Sequence, residues 1–202
     1  MAKIGITLDE VLRDFVSQFI YTYNKYIEPT DIKETDVTTL NLLELFKFEN
    51  EAKLNSFIYM EAPLEIFGHA DQVSDGLMNH FNDFLAEMEY EGEHEVELVT
   101  READKAIPST LFFLSKTGAK PSKIRFVKSY DEVWNGVDVL ITATPKILEK
   151  KPSDKTSIKV TTLYNTTSKS DYEISKILDF FRDGELRKKL LTPIIITTYE
   201  EI

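Results

Sequence analysis

Apolar residues alternate with small or polar ones at the start of the chain: Ile4, Ile6 and Leu8 bracket Gly5 and Thr7. That spacing predicts a short buried strand, ended by Asp9. The period then changes. Val11, Leu12, Phe15, Val16, Phe19, Ile20 and Tyr23 recur every three or four residues, the signature of an amphipathic helix. Asp9 stands where its carboxylate can cap the free amides of that helix's first turn, and Glu28-Pro29-Thr30-Asp31 stops it. From about Asp36 to Tyr90 the pattern stays helical. Leu40, Leu43, Leu45 and Phe46 fall in one segment, Ala52, Leu54, Phe57, Ile58 and Tyr59 in a second, and Val73, Leu77, Met78, Phe81, Phe84, Leu85 and Met88 on one face of a third.

Past Gly92 the strand pattern returns at 96–100, 124–128, 137–142 and 158–164. A helix is predicted from Arg101 to Leu114, bending or restarting at Pro108 and closing on Gly118. Ser170-Asp171-Tyr172-Glu173 has the form of a capping box ahead of a helix through Ile174, Ile177, Leu178 and Phe181, ended by Asp183-Gly184. The β-branched run from Pro193 to Thr198 predicts an edge strand, because proline donates no ladder hydrogen bond. Strands separated by helices point to an α/β domain whose parallel sheet is covered on both faces. In such sheets a strand that hands an acidic residue to a helix start is a common place for an anion site.

Charge and composition then narrow the chemistry. With 35 acidic and 24 basic residues the formal net charge is −11, which disfavours nonspecific nucleic-acid binding. The absence of cysteine excludes disulfides and thiolate metal sites. No apolar run approaches the roughly 20 residues that span a bilayer, and the amino terminus lacks a signal-peptide apolar core. The expectation is a soluble, non-secreted protein with neither membrane nor nucleic acid as partner. His69, His80 and His94 are too far apart to suggest a metal-ligand motif. A phosphate-cradling glycine loop and a Gly-x-Ser-x-Gly elbow are both missing.

The stretch Ile4-Gly5-Ile6-Thr7-Leu8-Asp9-Glu10-Val11 resembles the first motif of the haloacid-dehalogenase (HAD) superfamily of phosphatases, in the form of its phage and bacterial 5'-nucleotidase-like members. That motif is a hydrophobic strand followed by Asp-x-Asp-x-(Thr or Val). On this alignment Asp9 matches the second aspartate, the general acid, and Val11 the closing position. Thr7 stands where the family has its nucleophilic aspartate. Thr100, at the end of the second strand, matches the second motif, a hydroxyl that bonds the transferring phosphoryl group. Lys128 is the best match to the third-motif lysine, with Lys146 the runner-up. The strand Asp138-Val139-Leu140-Ile141-Thr142-Ala143-Thr144-Pro145 matches the fourth motif, with Thr142 and Ala143 in place of its acids.

The resemblance covers residues 1–20 and roughly 91–182. It implies a HAD-like Rossmannoid parallel sheet flanked by helices, with residues 1–20 and 91–202 as the core and 21–90 as an inserted helical cap. The departures imply lost catalysis. Mg²⁺ is normally anchored by one or two carboxylates, and neutral hydroxyls replace them here. A threonine nucleophile would need an adjacent base, whereas the motif places Asp9 as an acid. The expectation is a catalytically inactive pseudo-phosphatase of phage type, with no cofactor, no metal and a vestigial site of Thr7, Asp9, Thr100, Lys128 and Thr142. It would serve a binding or structural role in the host cytoplasm or virion, with other virion proteins or a second copy as partners. The alternative is a Mg²⁺-dependent 5'(3')-deoxyribonucleotidase-like phosphatase. A third reading is a nucleotide or phosphate sensor that binds without turnover.

Overall fold

The computed structural model describes residues 2–92, 94–102 and 105–191. Six parallel strands form one sheet: β1 (Ala2–Ile6), β2 (His94–Arg101), β3 (Ile124–Val127), β4 (Val139–Thr142), β5 (Thr156–Val160) and β6 (Tyr172–Ile174). Their spatial order is β3-β2-β1-β4-β5-β6, so β1 is central and the connections reverse direction on either side of it. Ile4 and Ile6 lie opposite Val96 and Leu98 on β2, and opposite Val139 and Ile141 on β4. Gly5, on the other face, is required by close approach. A Cβ there would come within 2.8 Å of Leu140 Cδ1 and 2.9 Å of Val137 Cγ1.

The two faces carry separate cores, as the two-residue period of a strand demands. Ile4, Ile6, Leu98, Val139 and Ile141 pack with helices α4 (Leu77–Glu91), α7 (Ile177–Arg182) and α8 (Gly184–Leu191). Val99 and Leu140 face the other way, onto Trp134, Val137 and Ile147. A third, aromatic cluster joins α1 (Phe15–Tyr26) to short helices α2 (Leu42–Leu45) and α3 (Glu51–Ser56) and to two π-helical turns, Phe57–Glu61 and Leu64–Gly68. Phe19 is its hub, 4.9 Å from the Phe46 ring and 6.2 Å from that of Phe57. This cluster runs from α1 to the turn at 64–68, takes in Ala106 at the start of the helix after β2, and leaves out α4, whose apolar face lies against the sheet. The helices α5 (Ala106–Thr117) and α6 (Pro145–Glu149) complete the layers. Gly118 ends α5 in the left-handed conformation expected of a C′ glycine.

Three local expectations are corrected. Helix α1 does not start at Asp9. The amides of Val11, Leu12 and Arg13 all turn back onto the Leu8 carbonyl (3.2, 2.8 and 2.9 Å), and Glu10 sits at φ +58, outside the helical region. The helix begins five residues later, capped by Asp14, whose carboxylate accepts from the Ser17 amide at 3.2 Å. The capping box at 170–173 is not one either, since Tyr172–Ile174 is strand β6. Asp171 accepts from the Ser157 amide at 2.7 Å and hydroxyl at 2.9 Å, which pins the segment to β5 in extended form. Asp183-Gly184 closes α7, yet Gly184 opens α8 at once. The helix predicted from Arg101 starts only at Ala106, with Pro108 tolerated in its first turn. The expected strand at 193–198 lies outside the described residues.

Candidate functional site

The carboxyl ends of β1, β2 and β4 meet where the strand order reverses, the position at which open α/β sheets bind ligands. Thr7 follows β1, Thr100 is the penultimate residue of β2 and Thr142 the last of β4. Thr7 Oγ1 lies 3.0 Å from Thr142 Oγ1, so the fold brings together two residues 135 positions apart in sequence. Thr142 Oγ1 also accepts from the Thr144 amide at 3.2 Å. Both side chains are buried. A cavity of about 420 Å³ opens beside them, with Thr7, Asp9 and Thr100 on the sheet side and Leu42, Leu54 and Ile58 on the other. Thr142 lies behind Thr7 rather than on the wall.

Asp9 is not free. Its Oδ1 accepts from Arg13 Nε at 2.8 Å and Nη2 at 2.7 Å. Arg13 is wholly buried and continues inward, giving Nη2 to Glu102 Oε1 at 2.7 Å and Nη1 to Thr110 Oγ1 at 2.6 Å. Its guanidinium lies 4.7 Å from the Phe67 ring centroid and 5.6 Å from that of Phe113. Burial works against the Arg13 charge, but Asp9 and Glu102 more than offset it, and the pKa rises above its ordinary value. Glu102 responds in the opposite sense. Burial pushes its carboxyl up against the pull of Arg13, and its Oε2 has no hydrogen-bond partner among the described residues.

Thr100, expected to meet a phosphoryl group, instead donates to Glu102 Oε1 at 3.1 Å. Glu10 also lines the cavity. Burial, helped by the nearby Asp14 and Asp9 charges, raises its pKa to about 8, although the carboxylate accepts from the Val16 amide at 2.8 Å.

Of the two candidate lysines, Lys146 reaches the cavity and Lys128 does not. Lys128 follows edge strand β3, two strands from β1, and its exposed side chain stands away from the site. Its backbone amide is bonded to Glu132 at 3.0 Å. Arg13, Glu102, Arg101, Tyr59 and Tyr130 are site residues that the motifs do not mark. The one trace of them in the sequence is Arg13, which with Asp14 interrupts the apolar run Val11–Val16.

The parallel sheet and its flanking helices form the HAD-like Rossmannoid α/β fold, the fold of solved structures described as HAD-superfamily hydrolases. Solved structures share it. A phosphonoacetaldehyde hydrolase-like protein from Oleispira antarctica superposes with a TM-score of 0.56 at 11% identity, over 94% of this chain and 92% of that one. A HAD-superfamily hydrolase of subfamily IA from Geobacter sulfurreducens gives 0.55 at 11%, over 89% and 97%. The L-2-haloacid dehalogenase of Xanthobacter autotrophicus, with chloropropionic acid covalently bound, gives 0.53 at 11%, over 90% and 97%. At these identities the likeness is one of fold. No protein-family model and no curated protein matches the sequence. No helix of the described residues is long and apolar enough to cross a membrane.

Proposed function

We propose that this chain is a HAD-fold protein whose site binds a ligand without phosphoryl transfer, a pseudo-phosphatase of the type the sequence resembles. The observation that carries the reading is the pair Thr7–Thr142, hydroxyl to hydroxyl at 3.0 Å where the resembled motifs have acids. A hydroxyl is a poor ligand for a strongly hydrated dication, which is held by charged oxygens. Asp9 is the one carboxylate of the four motifs that remains, and Arg13 occupies its Oδ1 twice over. This donor set does not suit Mg²⁺. Neither does it suit a nucleophile, because Thr7 directs its hydroxyl to Thr142 and the Ile141 carbonyl, and among the described residues no carboxylate or imidazole accepts from it.

The rival reading, a nucleotidase-like phosphatase, predicts turnover. Purified protein assayed with p-nitrophenyl phosphate and deoxynucleoside monophosphates, with Mg²⁺ titrated, should show no rate above that of the Asp9→Asn variant. A wild-type rate that Asp9→Asn abolishes contradicts the proposal. The partners that the resemblance implies, other virion proteins or a second copy, belong to the same reading. Light scattering on the purified chain tests the second of these.

A further inference from the structure

Three polar side chains that the phosphatase motifs do not account for, Arg101, Tyr130 and Tyr59, line the cavity together with Lys146, the runner-up for the third-motif lysine. Arg101 ends β2, Lys146 stands in α6, Tyr130 follows β3, and Tyr59 comes from the π-helical turn at 57–61. Arg101 Nη1 donates to the Tyr59 hydroxyl at 3.3 Å and to the Tyr130 hydroxyl at 3.4 Å. The Arg101 guanidinium carbon lies 4.6 Å from the centroid of the Tyr130 ring, and Lys146 Nζ 5.8 Å from the same ring. Because each phenol oxygen already accepts from Arg101, each phenol hydrogen is free to be donated. Tyr59 keeps that hydrogen, since burial pushes its pKa up to about 12. Among the described residues no ion pair ties Arg101 or Lys146 to a carboxylate. The cluster therefore offers two cations and two hydroxyl donors, and it lacks an anion.

The acids that share the cavity oppose an anion less than their number suggests. Asp9 is paired with Arg13, burial raises the pKa of Glu10 to about 8, and Glu51, the third acid of the lining, is exposed to solvent at the start of α3. Thr7 and Thr142 bring no charge. A phosphatase site full of carboxylates would need a metal ion to admit an anion, whereas this one has its own cations. Leu42, Leu54 and Ile58 add an apolar patch to the lining, beside Asn41 and Asn55, and a volume of about 420 Å³ lies within the usual span of small-molecule sites.

We propose that this cavity binds a small organic oxyanion with an apolar body, a phosphate monoester or a carboxylate. Its acid group would be held by Arg101, Lys146 and the hydroxyls of Tyr59 and Tyr130, without a metal ion. The inference deepens, and rests on, the reading of the site as one of binding without turnover.

Calorimetric titration of the full chain in excess EDTA tests it, with phenyl phosphate, phenylacetate, inorganic phosphate and benzyl alcohol as probes. At least one of the two organic anions should bind, with inorganic phosphate weaker and benzyl alcohol silent; whichever organic anion binds more tightly identifies the acid group. Lys146→Gln and Arg101→Gln should each weaken binding by about tenfold or more, and Tyr59→Phe with Tyr130→Phe by about threefold. Should Arg101→Gln fail to fold, Lys146→Gln and the phenol pair carry the test. Silence across all the anions at millimolar concentration overturns the proposal, as does affinity unchanged in Lys146→Gln or affinity that appears only with Mg²⁺. Hydrolysis of phenyl phosphate alongside binding in EDTA would overturn the proposed function and leave this anchor standing. Silence without hydrolysis would remove the anchor alone.

Discussion

Arg13 and Arg101 flank the same cavity under opposite conditions. Arg13 is fully buried, with Asp9 and Glu102 both at 2.7 Å and Thr110 on its remaining nitrogen. Arg101 is half-buried, and among the described residues its guanidinium bonds to two phenols, at 3.3 and 3.4 Å. A guanidinium saturated by carboxylates is part of the framework, because removing it strands charge in a medium that solvates charge poorly. A guanidinium that rests on neutral acceptors keeps most of its charge unmet and can spend it on a ligand. The same residue type is therefore scaffold on one side of the site and recognition on the other. The contrast also accounts for Asp9: the one acid kept from the resembled motifs is bound to the framework arginine.

The largest effect that would break this contrast is on stability. Arg13→Met should cost about 3–5 kcal/mol in chemical denaturation, because Glu102 loses its partner while staying buried. Arg101→Gln should stay within about 1 kcal/mol of wild type. Equal losses in the two variants would erase the distinction. Glu102→Gln comes next. It keeps an acceptor for Arg13 but removes a charge, and a loss of about 1–2 kcal/mol is expected from the same measurement.

Glu10→Gln changes a slope rather than a level. A carboxyl whose pKa is raised from 4.5 unfolded to about 8 folded holds its proton better in the native state. It therefore contributes stability that is fully present below pH 4.5 and declines as pH rises toward 8. Melting curves of wild type should fall across that window relative to those of Glu10→Gln. Parallel curves would show that Glu10 titrates normally.

Much of the fold is legible in the chain because strand periodicity and burial agree. Ile4 and Ile6, and Val139 and Ile141, alternate or run apolar as buried parallel strands do, and they register against one another across β1 and β4. The stripe of α4 is equally plain. Local signals failed where a side chain answered a tertiary partner. Asp171 satisfies the form of a capping box, yet it bonds Ser157 on the neighbouring strand. Asp9 has the form of an N-cap, yet the turn onto Leu8 delays the helix and Arg13 takes the carboxylate.

The site divides in the same way. Thr7 and Thr142 are found through motif positions at strand ends, and the fold brings them to 3.0 Å. Lys128 resembles the third-motif lysine in sequence, but strand order carries it away and leaves Lys146 at the cavity. Tyr59, Tyr130 and Arg101 converge from a π-helical turn, a loop and a strand end, with no spacing in common.

The central claim is that the carboxylates which would hold a metal ion are gone from a scaffold otherwise shaped for them. Side-by-side calorimetry with Mg²⁺ on wild type and on the Thr7→Asp, Thr142→Asp double variant tests it most directly. The account predicts no binding heat in the wild type and a one-site isotherm in the double variant. Mg²⁺ binding by the wild type that Thr7→Ala removes would contradict it.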